Sequence, residues 1–129
     1  MKHYSKWFMR IAAIYALIGA LIGSDMAGQK DYSMIPVHTH ILLVGWLTLF
    51  AYGLFYYVVK EVNMKKTAKL HAWTSIVGGG LMPFGMFLYY KMENPATLIS
   101  FIAPASLLLV GMFSFIVILF LDKKVFARD

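Results

Sequence analysis

The chain has 129 residues, of which 60% are hydrophobic and only 14% are charged. A soluble domain of this size carries about 25% charged residues, so the composition argues against an ordinary soluble fold. The net charge of +6 is spread over the short segments between apolar runs, a distribution that does not indicate a nucleic-acid-binding surface. The absence of cysteine excludes disulfides, thiolate metal sites and covalently attached CxxCH haem.

The apolar residues form four long runs, which predict an all-α fold: a single integral membrane four-helix bundle over residues 1–129. Spans are expected at about residues 7–23, 36–59, 70–90 and 97–121. We expect no soluble domain beside these spans. The first run is long for the apolar part of a signal peptide, so we interpret it as a retained span.

The first span carries Gly19 and Gly23, a pair that lets a neighbouring backbone approach closely. This pattern favours simple helix packing, with space for a flat cofactor as the alternative. The second span opens with Pro36, which is well suited to the first turn of a helix because its missing N–H is not needed there.

The basic residues predict the orientation of the spans. The amino end, the second loop and the carboxyl end carry three, four and three Lys or Arg residues, whereas the other two loops carry one each. This bias predicts that both termini are cytoplasmic. It places His38 and His40 near the outer face and His71 near the inner face, roughly 30 Å away. One chain therefore cannot bring His38 and His71 to the same ion.

His38 and His40 open the second span, and ionisable side chains at the edge of hydrocarbon are costly to place, so they are functional candidates. On a regular helix their rings point roughly 200° apart and cannot chelate one ion. His38 is followed at seven-residue spacing by Gly45 and Tyr52, a stripe of small and polar residues that predicts an inward-facing surface. His40 shares its face with aliphatic residues, so we expect it to face headgroups, a neighbouring subunit or water.

Two other interpretations of these residues stay open. His38, His40 and His71 can each be an interfacial side chain that hydrogen-bonds a backbone carbonyl. Met26 and Met34 lie on the same outer side as the histidine pair, so a copper or zinc site that uses histidine and methionine is the metal-binding alternative.

The remaining polar and aromatic residues indicate little chemistry. Trp7, Tyr56 and Tyr57 fit an aromatic belt at the membrane interface. The acidic residues lie in loops or at the ends of spans, and a pump or transporter would normally place a carboxylate within the membrane. We therefore expect neither transport nor a hydrolytic reaction.

Several residues of the second span form a pattern that is similar to a known membrane-protein family. The sequence PVHTH at 36–40, followed by Gly45-Trp46 and by YYVV at 56–59, resembles the second span of subunit I of haem-copper oxidases, most closely the C-type oxidases and nitric-oxide reductases. With LHAW at 70–73, nearly the whole chain resembles short four-span bacterial membrane proteins similar to oxidase subunit I.

In the oxidases, the histidine at this position is an axial ligand of the low-spin haem. The resemblance therefore implies that His38 binds heme b. From the residues themselves, we expect glycines such as Gly45 to give the ring space and Tyr52 and Trp46 to pack against it. His40 replaces the asparagine of the oxidase motif, so no ligand role is implied for it. The chain lacks the later spans that supply the copper ligands and the active-site haem ligand, so we do not expect a complete oxidase.

The opposite axial ligand of the oxidases also comes from a later span. A two-fold homodimer would place His38 of each subunit on one haem. Alternatively, a methionine of the same subunit is the second ligand, or an open position binds a gas. The methionine candidates are Met26, Met34, Met82 and Met86.

The resemblance implies electron transfer or haem or gas sensing in the bacterial cytoplasmic membrane, with a respiratory-chain partner. A structural alternative is a non-catalytic accessory subunit of a respiratory oxidase.

Overall fold

The computed structural model describes residues 1–59 and 61–127, and this part of the chain is helical without strands. It contains four helices: α1 (Lys2–Gln29), α2 (Ile35–Val58), α3 (Lys65–Lys91) and α4 (Pro95–Leu121). The predicted all-α class is confirmed.

Three of these helices, α1, α2 and α4, are long and apolar enough to cross a membrane. Helix α3 was also predicted to be a span, but it is not among the helices that are long and apolar enough to cross a membrane. Its apolar run is diluted by three consecutive glycines and by polar residues such as His71, Thr74 and Ser75. A helix with these residues depends on its neighbours to cover them.

Helix α1 continues six residues beyond the predicted end of the first span. A hydrogen bond from the Gln29 side chain to Asp25 Oδ1, at 2.8 Å, supports this polar extension, and Lys30 ends the helix in the left-handed conformation at φ 54°. Helix α4 begins with a complete capping box, in which the Asn94 side chain accepts from the backbone N–H of Thr97 and the Thr97 hydroxyl accepts from the N–H of Asn94.

Helices α3 and α4 share the most extensive contact, and glycine makes their close approach possible. A Cβ at Gly78 would lie 2.5 Å from the backbone nitrogen of Leu108 and 2.7 Å from the carbonyl oxygen of Pro104. Helix α1 packs along α2, and there the ring of Tyr15 occupies the space beside Gly45.

The middle of α2 is a π-helix over Ile41–Thr48. The Thr48 hydroxyl donates to the carbonyl oxygen of Leu43, five residues earlier, at 2.7 Å. Ile41, Gly45 and Leu49 are buried at a four-residue spacing through this wider turn. The sequence argument assumed a regular helix and did not predict the π segment. Such segments occur often at functional sites.

Two clusters of buried apolar residues lie at opposite ends of the bundle. We call the end that carries Met1 and residues 61–64 the basic end, and the other the opposite end. The basic-end cluster consists of Phe8, Ala12, Leu49, Tyr52, Tyr56, Val62, Ala68, Ala72 and Ile118. The opposite-end cluster consists of Tyr15, Val37, Ile41 and Met86.

Asp122 closes the basic end. Its buried carboxylate accepts from the backbone N–H of Met64 at 2.7 Å, next to the first residue of α3, and from that of Lys124 at 3.0 Å. Lys124 then pairs with Glu61 at 2.6 Å on the surface. The carboxylate satisfies a backbone donor at the start of α3 and ties that helix to the end of α4.

Candidate functional site: a histidine at each end of the bundle

His38 lies near the start of α2, half-buried against α1. A Cβ at Gly23 would come within 2.8 Å of His38 Cε1, so the imidazole occupies space that only glycine leaves open. Among the residues that the structure describes, its buried Nδ1 atom has no hydrogen-bond partner. A buried polar atom without a protein partner requires a physical explanation.

His40 has a different environment. Its Nδ1 lies 2.8 Å from the carbonyl oxygen of Pro36, one turn earlier in the same helix. This hydrogen bond corresponds to the interfacial alternative considered for each histidine. The two rings of the pair therefore have separate partners, His38 on α1 and His40 on its own backbone.

Across residues 1–59 and 61–127, no three His, Asp or Glu side chains are grouped so that they could hold one ion. The Asp31 carboxylate accepts from the backbone N–H of Ser33 at 3.0 Å, and this bond lowers the pKa of Asp31. Met26 is buried, and Met34 packs on the opposite-end cluster.

An apolar groove of about 590 Å³ runs between α1, α2 and α3, one helical turn from His38. Ile22, which precedes Gly23, and Ile41, three residues after His38, both line it. The lining residues are Ile11, Ile14, Tyr15, Ile18, Ile22, Ile41, Gly80, Leu81, Pro83, Phe84 and Phe87.

A cation lies near one residue of this groove. The Lys91 ammonium sits 5.9 Å from the centre of the Phe87 ring, and Phe87 lines the groove. The groove therefore combines apolar walls with a positive charge close to one lining side chain.

His71 lies at the basic end with 0% of its surface exposed. Its Nδ1 is 2.7 Å from the hydroxyl oxygen of Tyr56, which in turn donates to the carbonyl oxygen of Ala68 at 3.1 Å. The other ring nitrogen, Nε2, is buried without a partner. His71 is thus half satisfied, by a hydroxyl from the neighbouring helix.

Aromatic rings enclose His71. The Tyr52 ring stands perpendicular to the imidazole at 4.5 Å between centres, and Phe115 stacks at 4.9 Å. Phe8 and Tyr56 lie at 5.9 Å and 5.5 Å. With these neighbours and no exposed surface, the imidazole has no open side where a haem would fit.

Two aromatic residues lie elsewhere than the sequence suggested. Tyr56 was interpreted as part of an interfacial belt, but it is 0% exposed and bonded to His71. Tyr52 was expected to pack against a haem bound to His38, yet the two residues are fourteen positions apart, about 20 Å along the helix. Tyr52 instead contacts His71.

The Tyr56–His71 pair had a signal in the sequence that we did not use. The end of the second span and the start of the third meet at the same level, because a short loop joins two antiparallel helices. Tyr56 and His71 lie at those two positions. Their shared depth could have been inferred, although their hydrogen bond could not.

Comparisons with protein-family models, with curated proteins and with solved structures returned no match. The resemblance to haem-copper oxidases therefore stays a prediction, based on the residues quoted for it.

Proposed function

We propose that this chain is a four-span protein of the bacterial cytoplasmic membrane with both termini in the cytoplasm. Three helices long and apolar enough to cross a membrane support the first part. The orientation is supported by the excess of Lys and Arg at the basic end. In this arrangement, α3 spans the membrane within the cover of its neighbours, above all α4.

The function that the site supports best is non-covalent binding of heme b through His38. The observation that carries this proposal is the half-buried imidazole, which is held against Gly23 and has a ring nitrogen without a partner. Neutral imidazole is a common haem ligand. His40 already bonds a backbone carbonyl and His71 is enclosed, so neither offers a comparable ligand.

The neighbouring groove suits the same group. Its walls are apolar, as a porphyrin requires, and Lys91 lies beside Phe87, where its ammonium can pair with a propionate. Bound haem would supply one-electron transfer. The protein's residues would hold the ring, exclude water from it and fix the orientation of the imidazole.

The second axial ligand is proposed to be His38 of a second copy, in a two-fold homodimer, because symmetry places identical residues face to face. The role would be electron transfer to a respiratory-chain partner, or sensing of haem or a gas.

An absorption spectrum of the detergent-purified protein, combined with metal analysis, tests the proposal. We expect a Soret band and α and β bands on reduction, lost in His38→Ala and retained in the matched variant His40→Ala. A colourless protein that contains stoichiometric copper or zinc would favour the metal-binding alternative instead. Loss of the spectrum in His40→Ala alone would show that the ligand is misassigned.

A further inference from the structure

His71 and Ser75 lie one turn apart on α3 and share an unusual property. His71 Nε2 and Ser75 Oγ are both buried, and neither has a hydrogen-bond partner in the part of the chain that the structure describes. Each residue is 0% exposed. Buried polar atoms are nearly always paired with protein or with water, so these two atoms require a partner.

The Ser75 hydroxyl differs from four other helical hydroxyls that bond their own helix. Those of Thr39, Thr74, Ser106 and Ser114 donate to the carbonyl oxygen four residues earlier, at 2.7–2.9 Å. Ser75 does not make this bond. Its hydroxyl instead approaches α4 at Gly111, where a Cβ would overlap it. The side chain thus gives up a hydrogen bond available within its own helix.

The hydrogen bonds of Tyr56 indicate which nitrogen of His71 carries the proton. A hydroxyl has one proton, and Tyr56 has two neighbours within hydrogen-bond distance, the carbonyl oxygen of Ala68 and His71 Nδ1. Both bonds form together only when the hydroxyl donates to Ala68 and Nδ1–H donates to the hydroxyl oxygen. Nε2 is then unprotonated and is an acceptor.

We propose that one buried water molecule bridges His71 Nε2 and Ser75 Oγ. The water donates one hydrogen bond to Nε2 and forms a second hydrogen bond with the Ser75 hydroxyl. Residues one turn apart on a helix are separated by about 6 Å along its axis, a spacing that one bridging water spans. Buried waters typically satisfy otherwise unpaired groups of this kind.

The water completes a hydrogen-bonded chain along α3. The chain runs from the Ala68 carbonyl through Tyr56, His71 and the water to Ser75. Ala68 also lines a pocket of about 390 Å³ at the basic end, which Glu61 and Lys65 border. The chain therefore leads from a residue that lines a surface pocket into the interior of the bundle, and the ligand proposed for it is water.

Nitrogen-15 NMR of the detergent-solubilised protein tests this inference. Replacing the other three histidines by glutamine leaves His71 as the single imidazole, and removing His38 makes the result independent of haem binding. We expect a protonated Nδ1, a hydrogen-bonded unprotonated Nε2 and a magnetisation-transfer peak from water to the His71 ring.

Two serine variants provide the comparison. Ser75→Ala should shift the Nε2 resonance toward that of a free acceptor and abolish the water peak. Ser114→Ala removes an equally buried serine that bonds its own helix, and it should leave His71 unchanged. A proton on Nε2, no water peak in the parent protein, or no response to Ser75→Ala would each overturn the proposal.

Discussion

The two ends of the bundle each hold a histidine with one buried nitrogen that lacks a protein partner, yet their surroundings differ. At the basic end, His71 is enclosed by four aromatic rings and bonded through Nδ1 to Tyr56. At the opposite end, His38 is half-buried, touches a glycine and lies one turn from an apolar groove. The neighbours, rather than the residue type, distinguish an imidazole enclosed in the core from one that is partly open.

The energetic demands of the two sites differ accordingly. An enclosed imidazole contributes packing and one hydrogen bond, so replacing its neighbours should mainly reduce stability. An imidazole kept partly open contributes little packing, so changes around it should mainly alter ligand binding. The predictions below test this contrast, from the largest expected effect to the smallest.

Phe8→Ala should give the largest loss of stability. Phe8 is 0% exposed and packs on Tyr52, Tyr56 and His71, so removing its ring leaves a cavity in the basic-end cluster. We expect a loss of about 3 kcal/mol in the free energy of unfolding, measured by denaturation in detergent micelles.

The matched control is Phe113→Ala, because Phe113 is 68% exposed. Its loss should stay below about 0.5 kcal/mol. Equal losses in the two variants would mean that the basic-end cluster is not a packed core.

Tyr56→Phe tests the hydrogen bond separately from the packing. The variant keeps the ring and removes the hydroxyl that partners His71 Nδ1, leaving that nitrogen buried and unpaired. We expect a loss of about 2 kcal/mol in the same unfolding measurement. Tyr57→Phe, at an exposed neighbour, should have almost no effect. A neutral Tyr56→Phe would indicate that the bond to His71 does not contribute to stability.

At the opposite end, Gly23→Ala should change haem binding rather than stability. The added Cβ would meet His38 Cε1 at 2.8 Å and push the flexible imidazole aside, with little change in stability. If His38 binds haem, the affinity for haem should fall about tenfold, because the ligand loses its orientation.

Gly28→Ala, on the same helix with open space around it, serves as the control in a haem titration followed by absorption. If Gly23→Ala binds haem as tightly as Gly28→Ala does, Gly23 is not part of the haem-binding site.

The surface pair of Glu61 and Lys124 should give the smallest effect. The hydrogen bond and the charge of Lys124 lower the pKa of Glu61, so the pair stabilises the fold above the pKa of unfolded Glu61. That contribution is lost as the pH falls through the lowered pKa of the folded state. Because both side chains are exposed, salt screens the pair.

Comparing the unfolding midpoints of wild type and Glu61→Gln across acidic pH checks this expectation. The two curves should differ slightly at neutral pH and converge in acid. A difference that grows in acid would reverse the predicted sign.

The sequence predicts α1, α2 and α4 because each of these helices is a long apolar run, and the observed boundaries of α2 differ from the predicted span by one residue at each end. It predicts α1 too short, since Asp25 and Gln29 look like loop residues until their hydrogen bond is seen. It does not reveal the π segment, because the largely apolar sequence of residues 41–48 is equally compatible with a regular α-helix.

The sequence predicts some features of the two histidine sites and misses others. Spacing separates His38 from His40, and the structure gives the two rings different partners. The burial of Tyr56 and the enclosure of His71 depend on rings contributed by α1, α2 and α4, and one-dimensional periodicity does not specify such contacts between helices.

The most direct test of the central claim is chemical rescue of His38→Gly with imidazole. The variant removes the ligand and opens a space where free imidazole can replace it. We predict that purified His38→Gly lacks the Soret band although it retains His71. Adding haem with imidazole should restore the band. A full haem spectrum in His38→Gly without imidazole would contradict the account.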